Sequence, residues 1–407
     1  MIKINRIVKG SSTYWILVLF TCGYDVSSRA INMLCLGKLK TQSLRNVMSK
    51  LYKEEYIKKI RIDGISTIRP IVKKPLIDTA LTLYPDALCL LQDNYERNKS
   101  RYKKRDIART QRISECYAFF CRYGMEIRSG YKPGLIYEEK ASFERGGFYS
   151  SRELRDMSML EDNVLKAARF VGALITNERP YVVYNPGTVE TEWSQKGEER
   201  SKIFVKNIVD RAMGVSTDPQ AIMILRKFDL LYNLTAIEDS LRIKRVVNGQ
   251  VEDKTRQYNS KSKLEEDFRP GYNSLINVYE DIYALPYSEY GLFVLGLITS
   301  PGYIHKIRRL LDPAYDPANK MFDIDCDYQD KFQASDGLQY SRYILCAFDC
   351  NIARIIRFRK SSFQLTGAFQ VLCFSWQQDT LRRIFQNSHV AVIVQDIAVN
   401  ELIKEER

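Results

Sequence analysis

The residues between positions 41 and 53 carry the side chains best suited to recognise a nucleic acid. Apolar residues recur there at the spacing of one helix face, at Leu44, Val47, Met48 and Leu51. The opposite face holds the donors and cations that read base edges and bind phosphates, namely Gln42, Ser43, Arg45, Asn46, Ser49, Lys50 and Lys53. The pattern therefore predicts an amphipathic helix, with Thr41 as its N-cap, whose polar face contacts DNA.

A predicted β-ribbon follows this helix. Residues 56–62 and 65–71 alternate between apolar and polar types, and Asp63-Gly64 between them is a hairpin turn signal. Pro70 fits an edge strand. The basic residues Lys58, Lys59, Arg61 and Arg69 would place charge along the ribbon. Such a ribbon tracks the DNA backbone or the minor groove while the preceding helix enters the major groove.

Two further helical patterns precede position 41. The first runs from Tyr14 to Cys22, and the second is capped by Ser27 and ends near Cys35, before a break at Gly37. The order of helix, helix, tight turn, polar-faced helix and β-ribbon predicts a winged helix-turn-helix domain in residues 1–76.

Positive charge is concentrated in the first quarter of the chain. The formal net charge is +13, and residues 1–112 hold 23 Lys and Arg against 9 acids, whereas residues 113–407 hold 39 against 40. Such asymmetry indicates contact with a nucleic acid or an acidic surface. Residues 97–112, within a predicted basic helical connector at 77–132, form either a solvated helix or a phosphate-tracking arm that includes Lys103, Lys104 and Arg105.

The segment from Leu51 to Ile57 resembles the "L-x-x-x-G-x-I" motif of winged-helix domains in bacterial regulators, with Glu55 where glycine is usual. Leu81-Thr82 and the residues from Asp86 to Leu91 resemble a segment of the replication-relaxation proteins of plasmids and conjugative elements. The likeness covers about the first 120 residues. It implies a winged helix followed by an α/β domain, and a role in the replication or transfer of a mobile element.

Residues 133–247 predict an α/β domain with the α-β-β-β-α-β order of restriction-endonuclease-like cores. Helices are expected at 161–170 and 197–212, and strands at 170–176, 180–185, 189–193 and 221–226. An active nuclease of this type needs an aspartate and an acid-x-lysine pair to hold Mg²⁺ and a water. The sequence offers Glu190 and Glu192 on the third strand, and Glu139 with Lys140 upstream, but no carboxylate on the second strand. A fold of this type without its metal site is therefore the preferred interpretation.

Residues 248–272 predict a polar linker, and residues 273–407 predict a second α/β domain. Strands alternate there with helices, which indicates parallel pairing and places Asp349, Ser375, Gln377 and Asp396 at the carboxyl ends of strands. The apolar run 290–298 is strand-sized. The acids Asp323, Asp325 and Asp327 could hold a hard cation, but an exposed acidic loop is the simpler interpretation.

The cysteine and histidine content and the first apolar run narrow the kinds of site and targeting segment that the chain can contain. The nine cysteines include no CxxC pair, and there are two histidines, so buried thiols in a reducing cytoplasm are expected rather than a zinc site. The short apolar run after residue 14 is expected to be a buried helix rather than a signal peptide.

The sequence thus predicts a multi-domain α/β protein with an N-terminal winged helix-turn-helix followed by two α/β domains. The main hypothesis is a cytoplasmic protein of a bacterial mobile element that binds double-stranded DNA. Its further partners would be a relaxase, a replication initiator or a second copy, with no membrane and no cofactor. A nuclease using Mg²⁺ and a protein–protein scaffold are the alternatives.

Overall fold

The computed structural model describes residues 7–37, 39–99, 103–132, 135, 146–157, 169–187, 195–213, 216–226, 228, 243–247, 250–254, 273–318, 321–333, 337–386 and 388–396. The chain forms two compact units. The first contains residues 1–164, 170–187 and 201–219, and the second contains residues 165–169, 188–200 and 220–407. Both combine helices with sheets, so the predicted mixed α/β class is confirmed. The two units divide the chain differently from the five predicted segments.

The first unit begins with a helical region and a β-hairpin. Its elements are α1 (Ser12–Gly23), α2 (Ser28–Cys35), α3 (Thr41–Lys53), β1 (Ile57–Ile62), β2 (Ile65–Pro70), α4 (Lys74–Leu83), α5 (Ala87–Asn98), α6 (Lys104–Tyr123), β3 (Gly147–Ser150), α7 (Ser151–Met157), β4 (Gly172–Ile175) and β5 (Pro180–Gly187). The helix α8 (Gln195–Met213) belongs to this unit from residue 201 onward.

The second unit is built mainly on a four-stranded sheet. Its elements are β6 (Gln220–Leu225), β7 (Ile243–Val247), β8 (Gln250–Lys254), α9 (Asn273–Ile276), β9 (Ile282–Pro286), α10 (Glu289–Ile298), α11 (Tyr303–Leu311), β10 (Tyr328–Gln333), β11 (Gln339–Cys346), α12 (Ile352–Gln364), β12 (Ala368–Cys373), α13 (Gln378–Ile384) and β13 (Val390–Val394). Short 3-10 turns cover Ala347–Asp349 and Ser375–Gln377.

The core of the first unit surrounds α1. This helix is apolar on almost every side and is buried from Ile16 to Gly23, because α2, α5 and α6 pack around it. The hydroxyl of Ser27 accepts a hydrogen bond from the backbone N–H of Ala30, so the predicted cap of α2 is confirmed. The basic run and the apolar helix predicted after it form one helix, α6, from Lys104 onward.

The predicted hairpin is confirmed. β1 and β2 pair antiparallel with Ile62 opposite Ile65, which leaves Asp63 and Gly64 as a two-residue loop. Both loop residues have positive φ, 47° and 81°, as a type I′ turn requires. On the other side of β2, Ile68 exchanges two backbone hydrogen bonds with Val26, at 2.9 and 3.0 Å. The ribbon is therefore tied to the segment between α1 and α2.

The predicted middle strands are confirmed in part. β3, β4 and β5 form an antiparallel set in the first unit, and β6 pairs parallel with β9 in the second. The predicted helix at 197–212 corresponds to α8. The predicted strand at 189–193 and nearly all of the predicted helix at 161–170 lie outside the described residues.

The C-terminal prediction is also confirmed in part. β11, β12 and β13 pair in parallel as expected, and β10 adds an antiparallel strand that the sequence did not indicate. The prediction of a strand at 290–298 was wrong, because these residues form α10. A continuous apolar run carries no periodicity that separates a buried helix from a buried strand. Residues 250–254 of the predicted linker form β8, which pairs with β7.

All nine cysteines lie among the described residues, and none forms a disulfide. Seven are buried, Cys121 is half-buried and Cys89 is exposed. Among the described residues no helix combines the length and the apolar character that crossing a membrane requires.

Candidate nucleic-acid interface

The helix α3 is attached to the first unit by few of its residues. The structure describes all thirteen of its residues, and only Leu51 is buried, with 1 % of its surface exposed. Leu44, Val47 and Met48 are half-buried on the same face, as the spacing predicted. The prediction of Thr41 as N-cap was wrong, because Lys40 occupies that position and Thr41 begins the helix. A narrow apolar stripe and the half-buried Tyr52 therefore hold α3, and its polar face is directed to solvent.

The polar face of α3 is exposed along its whole length. This holds for every residue predicted to contact DNA from this helix: Gln42, Ser43, Arg45, Asn46, Ser49, Lys50 and Lys53. The Gln42 side chain donates a hydrogen bond from Nε2 to Oδ1 of Asn46 at 3.1 Å. Lys50 lies 4.0 Å from Glu54 in an exposed contact that contributes little energy. The cations and amides therefore remain accessible to a ligand.

The ribbon that follows α3 carries three further exposed cations, of which Lys59 and Arg61 share one face of β1 and Lys58 lies on the other. Lys58, Lys59 and Arg61 on β1 are exposed, and β1 packs next to α3. We refer to the polar face of α3 together with Lys58, Lys59 and Arg61 as the α3–ribbon surface. Lys40 is exposed at the start of α3 and extends this surface. It was not among the predicted residues, although its position just before the predicted helix was an available signal.

The expectation that Arg69 lies exposed on the ribbon was wrong. Only 3 % of Arg69 is accessible, and its guanidinium binds the buried carboxylate of Asp25 at 2.6 Å. An arginine on β2 that faces the body of the unit needs a counter-ion, because a buried unpaired charge is costly. Arg69 therefore holds the ribbon in place rather than facing solvent.

A strained residue sets the angle between α3 and β1. Glu55 follows the helix with φ of 59°, a left-handed conformation that favours glycine. The N–H of Tyr56 then donates to the carbonyl of Leu51 at 3.0 Å, and the N–H of Ile71 donates to the carbonyl of Tyr56 at 2.8 Å. These bonds fix how the ribbon leaves the helix. The conformation also explains why glycine is usual at this position in the motif that the segment resembles.

The second predicted basic region lies at the start of α6. Lys103 and Lys104 are exposed there, whereas the side chain of Arg105 lies outside the described residues. The helix continues into the core, where Cys116, Tyr117 and Phe120 are buried. The two exposed lysines are thus carried on the end of a firmly packed helix.

The four nuclease candidates, Glu139, Lys140, Glu190 and Glu192, lie outside the described residues. Within the described ranges no group of three or more His, Cys, Asp or Glu side chains could hold a metal ion.

Two acids of the predicted acidic loop, Asp325 and Asp327, form an ion cluster with arginine side chains. Arg354 on α12 binds Asp325 at 2.9 Å and Asp327 at 2.8 Å, and Arg308 adds a contact to Asp327 at 3.4 Å. Only 2 % of Asp327 is accessible, whereas Asp323 is exposed. The predicted loop is present, but it is exposed only at Asp323, because the arginine side chains that neutralise Asp325 and Asp327 leave the first half-buried and the second buried.

The environment of Asp325 agrees with this interpretation. Burial alone would raise the pKa of its carboxyl, but Arg354 and Arg357 outweigh burial and hold the pKa below its usual value. The carboxylate is thus charged and already neutralised by protein groups.

The residues predicted at the carboxyl ends of the parallel strands all have hydrogen-bond partners within the second unit. The backbone N–H of Ser375 donates to Asp396 at 2.8 Å, and the Gln377 amide donates to the carbonyl of Ala347 at 2.8 Å. Burial raises the pKa of Asp349 to about 6, and Tyr303 donates a hydrogen bond to this carboxyl at 3.0 Å. These polar residues therefore take part in contacts that stabilise the fold of the second unit.

No protein-family model matches the chain, and no curated protein or solved structure matches it either.

Proposed function

We propose that this protein binds double-stranded DNA through the α3–ribbon surface. The observation that carries this proposal is the exposure of α3, which buries one residue of thirteen and presents amide, hydroxyl and cationic groups beside the three exposed cations of β1. Arginine, lysine, asparagine and glutamine are the side chains that read base edges in the major groove, and lysine and arginine bind the phosphates.

The winged-helix interpretation of residues 1–76 is part of this proposal. Three helices precede an antiparallel ribbon, and the Val26–Ile68 bridge adds a short third strand to the ribbon. In a winged helix-turn-helix, the third helix would enter the major groove and the ribbon would lie along the backbone or in the minor groove. The buried pair of Asp25 and Arg69 supports a fixed orientation of ribbon against helices.

The groups on this surface would have different tasks. Lys50, Lys53, Lys58 and Lys59 are suited to phosphates, because an ammonium is a compact point charge on a flexible stem that can follow the charged backbone. Gln42 and Asn46 are suited to adenine, whose N6 and N7 match a side-chain amide. Their mutual hydrogen bond holds the two amides side by side before any DNA is bound.

The resemblance to replication-relaxation proteins would place this binding in the replication or transfer of a mobile element. The remaining α/β regions would then act as a scaffold. β4, β5, α8 and β6 follow one another in an order compatible with a restriction-endonuclease-like core, and a core of that type without its metal site would suit the scaffold role.

A binding titration with a charge-matched control tests the proposal. Arg45→Glu, Lys50→Glu and Lys53→Glu combined should sharply weaken binding of a fluorescent duplex at every salt concentration. If each cation contacts one phosphate, the slope of log affinity against log salt should fall by about 3. The control combines Lys196→Glu, Arg309→Glu and Lys331→Glu, which change exposed residues elsewhere by the same charge. Equal losses in both variants, or a wild-type affinity insensitive to salt, would contradict the proposal.

A further inference from the structure

The strand β13 is an apolar edge of the second unit's four-stranded sheet. It pairs in parallel with β12 on one side, and no described residue pairs with its other side. Its sequence, Val-Ala-Val-Ile-Val, contains no charge, proline or glycine. Ala391 and Ile393 are exposed, the latter with 40 % of its surface accessible. Natural sheets usually protect such an edge, because it can pair with another strand.

The opposite edge of the same sheet has the protection that β13 lacks. β10 carries Asp330 and Lys331, and its last three residues, Lys331, Phe332 and Gln333, are exposed. Asp330 on this strand also forms an ion pair with Arg342 of β11. Charged side chains of this kind discourage pairing with another chain. The described residues of β13 carry no such charges.

The hydrogen bonds of β13 show which of its backbone groups face outward. The N–H of Gln395 donates to the carbonyl of Cys373 on β12 at 2.9 Å. In a parallel ladder both backbone groups of a residue point to the same neighbour, and successive residues alternate. Residues 391 and 393 therefore bond to β12 along with 395, while Val390, Val392 and Val394 direct their N–H and C=O groups away from the sheet.

We propose that β13 pairs antiparallel with β13 of a second copy of this chain, around a twofold axis at Val392. Val392 then lies opposite the partner's Val392, and Val390 lies opposite the partner's Val394. The three outward-facing residues of each strand form about six backbone hydrogen bonds across the axis. The register brings Ser388 opposite the partner's Asp396 and His389 opposite the partner's Gln395, so no like charges meet. The two sheets become one eight-stranded sheet.

The helix beside the edge is compatible with this twofold pairing. α13 packs against β13 and exposes Asp379 and Arg383, four residues apart. With strands about 4.8 Å apart, the two copies of α13 lie about 10 Å apart and antiparallel, which is the usual spacing of packed helices. Asp379 of one copy is then near the partner's Arg383. This arrangement brings opposite charges together and so favours a second copy of this chain as the occupant of the edge.

The dimer does not depend on DNA binding. A twofold dimer carries two copies of the α3–ribbon surface, and if the proposed function also holds, its DNA site contains two related half-sites. The two proposals can fail separately, because the dimer is measured without DNA.

The molecular mass of the full chain in solution provides the first test. Sedimentation equilibrium should give twice the 47.4 kDa of one chain at micromolar concentrations. Val392→Pro removes an outward N–H and should give a monomer, whereas Val392→Thr keeps the N–H and the branched shape and should remain dimeric. A monomeric wild type, or a Val392→Pro variant that dimerises as well as wild type, would overturn the proposal.

A disulfide trap tests the register and does not rely on the proline variant folding. In a Cys89→Ser background, Val392→Cys should form an intermolecular disulfide under mild oxidation, because opposite residues of a hydrogen-bonded antiparallel pair have Cα atoms about 5.5 Å apart. Ala391→Cys is the matched control, since residue 391 lies opposite the partner's residue 393 and not opposite itself. Cross-linking at 391 but not at 392, or at neither position, would overturn the register.

Discussion

Arg69 on β2 and Asp25 between α1 and α2 form a two-point ion pair inside the first unit. The guanidinium Nε lies 2.6 Å from Oδ1 of Asp25, and Nη2 lies 3.2 Å from Oδ2. The hydroxyl of Thr67 donates to the same carboxylate at 3.2 Å. Together with the Val26–Ile68 bridge, this pair fixes the ribbon against the first helices, so the orientation of the α3–ribbon surface depends on it.

Removing one member of this pair should destabilise the first unit strongly. Asp25→Ala leaves a buried guanidinium without its counter-ion, and the free energy of unfolding should fall by about 3–5 kcal/mol. The double variant Asp25→Ala/Arg69→Met should lose less, because no unpaired charge remains. Urea unfolding measures the free energy of unfolding of both variants. As a control, Lys73→Ala breaks the exposed pair with Glu55 and should cost under about 1 kcal/mol. If Asp25→Ala cost no more than this control, Arg69 would not need its counter-ion.

Replacing the strained residue after α3 should stabilise the protein. Glu55 has φ of 59°, so Glu55→Gly should relieve strain and raise the free energy of unfolding by about 0.5–1 kcal/mol. The neighbouring Glu54 has φ of −88°, and Glu54→Gly should lower stability by a similar amount. Opposite signs for adjacent substitutions, seen in urea unfolding, distinguish backbone strain from a general effect of charge removal. Two changes of the same sign would argue against the strain.

Substitutions in α3 and in the ribbon should separate the recognition of bases from the binding of phosphates. Asn46→Ala removes an amide from the polar face of α3 and should reduce the preference for a selected sequence over random DNA by about 1–3 kcal/mol, with little change in salt dependence. The selected sequence can be obtained by enrichment from a random library.

On the ribbon, Lys58→Ala/Lys59→Ala should weaken binding to all sequences alike and reduce the salt slope by about 2. Competition titrations at several salt concentrations measure both quantities. If the two variants behaved alike, α3 and the ribbon would not divide the tasks of base and phosphate contact.

Asp349 should make stability fall as pH rises. Burial raises its pKa from 3.8 to about 6, so the folded state binds this proton more readily than the unfolded chain. Protonated Asp349 stabilises the folded state fully below about pH 4, and this stabilisation is lost as pH rises towards about 6. The free energy of unfolding should fall by about 3 kcal/mol over this range. Asp325, whose pKa is lowered, acts in the opposite direction and only below its usual pKa.

Asp349→Asn should abolish the loss between about pH 4 and 6, because the neutral amide does not titrate. Urea unfolding at a series of pH values compares the variant with wild type. Asp323→Asn is the control, since Asp323 is exposed and its removal should leave the slope in this range unchanged. Parallel profiles for Asp349→Asn and wild type would show that Asp349 is already charged in the folded state.

The sequence alone determined the elements that depend on neighbouring residues. The helix at 41–53 follows from the spacing of four apolar residues, and the turn at Asp63-Gly64 follows from the positive φ that these residue types tolerate. The parallel strands β11, β12 and β13 follow from strands alternating with helices. In each case the determining interactions lie within a few residues or within one strand–helix–strand repeat, so the pattern is visible in the sequence.

Only the tertiary structure decided which charged groups are partners. Asp25 meets Arg69 across 44 residues, and Asp325 and Asp327 meet Arg354 across 29 and 27. In each case the sequence suggested a solvent-facing charge, whereas Arg69 and Asp327 are buried and Asp325 is half-buried, each paired with a distant residue. A charge looks the same in the sequence whether it faces solvent or a counter-ion, and burial by distant elements decides between the two, because an unpaired charge inside a protein is too costly to keep.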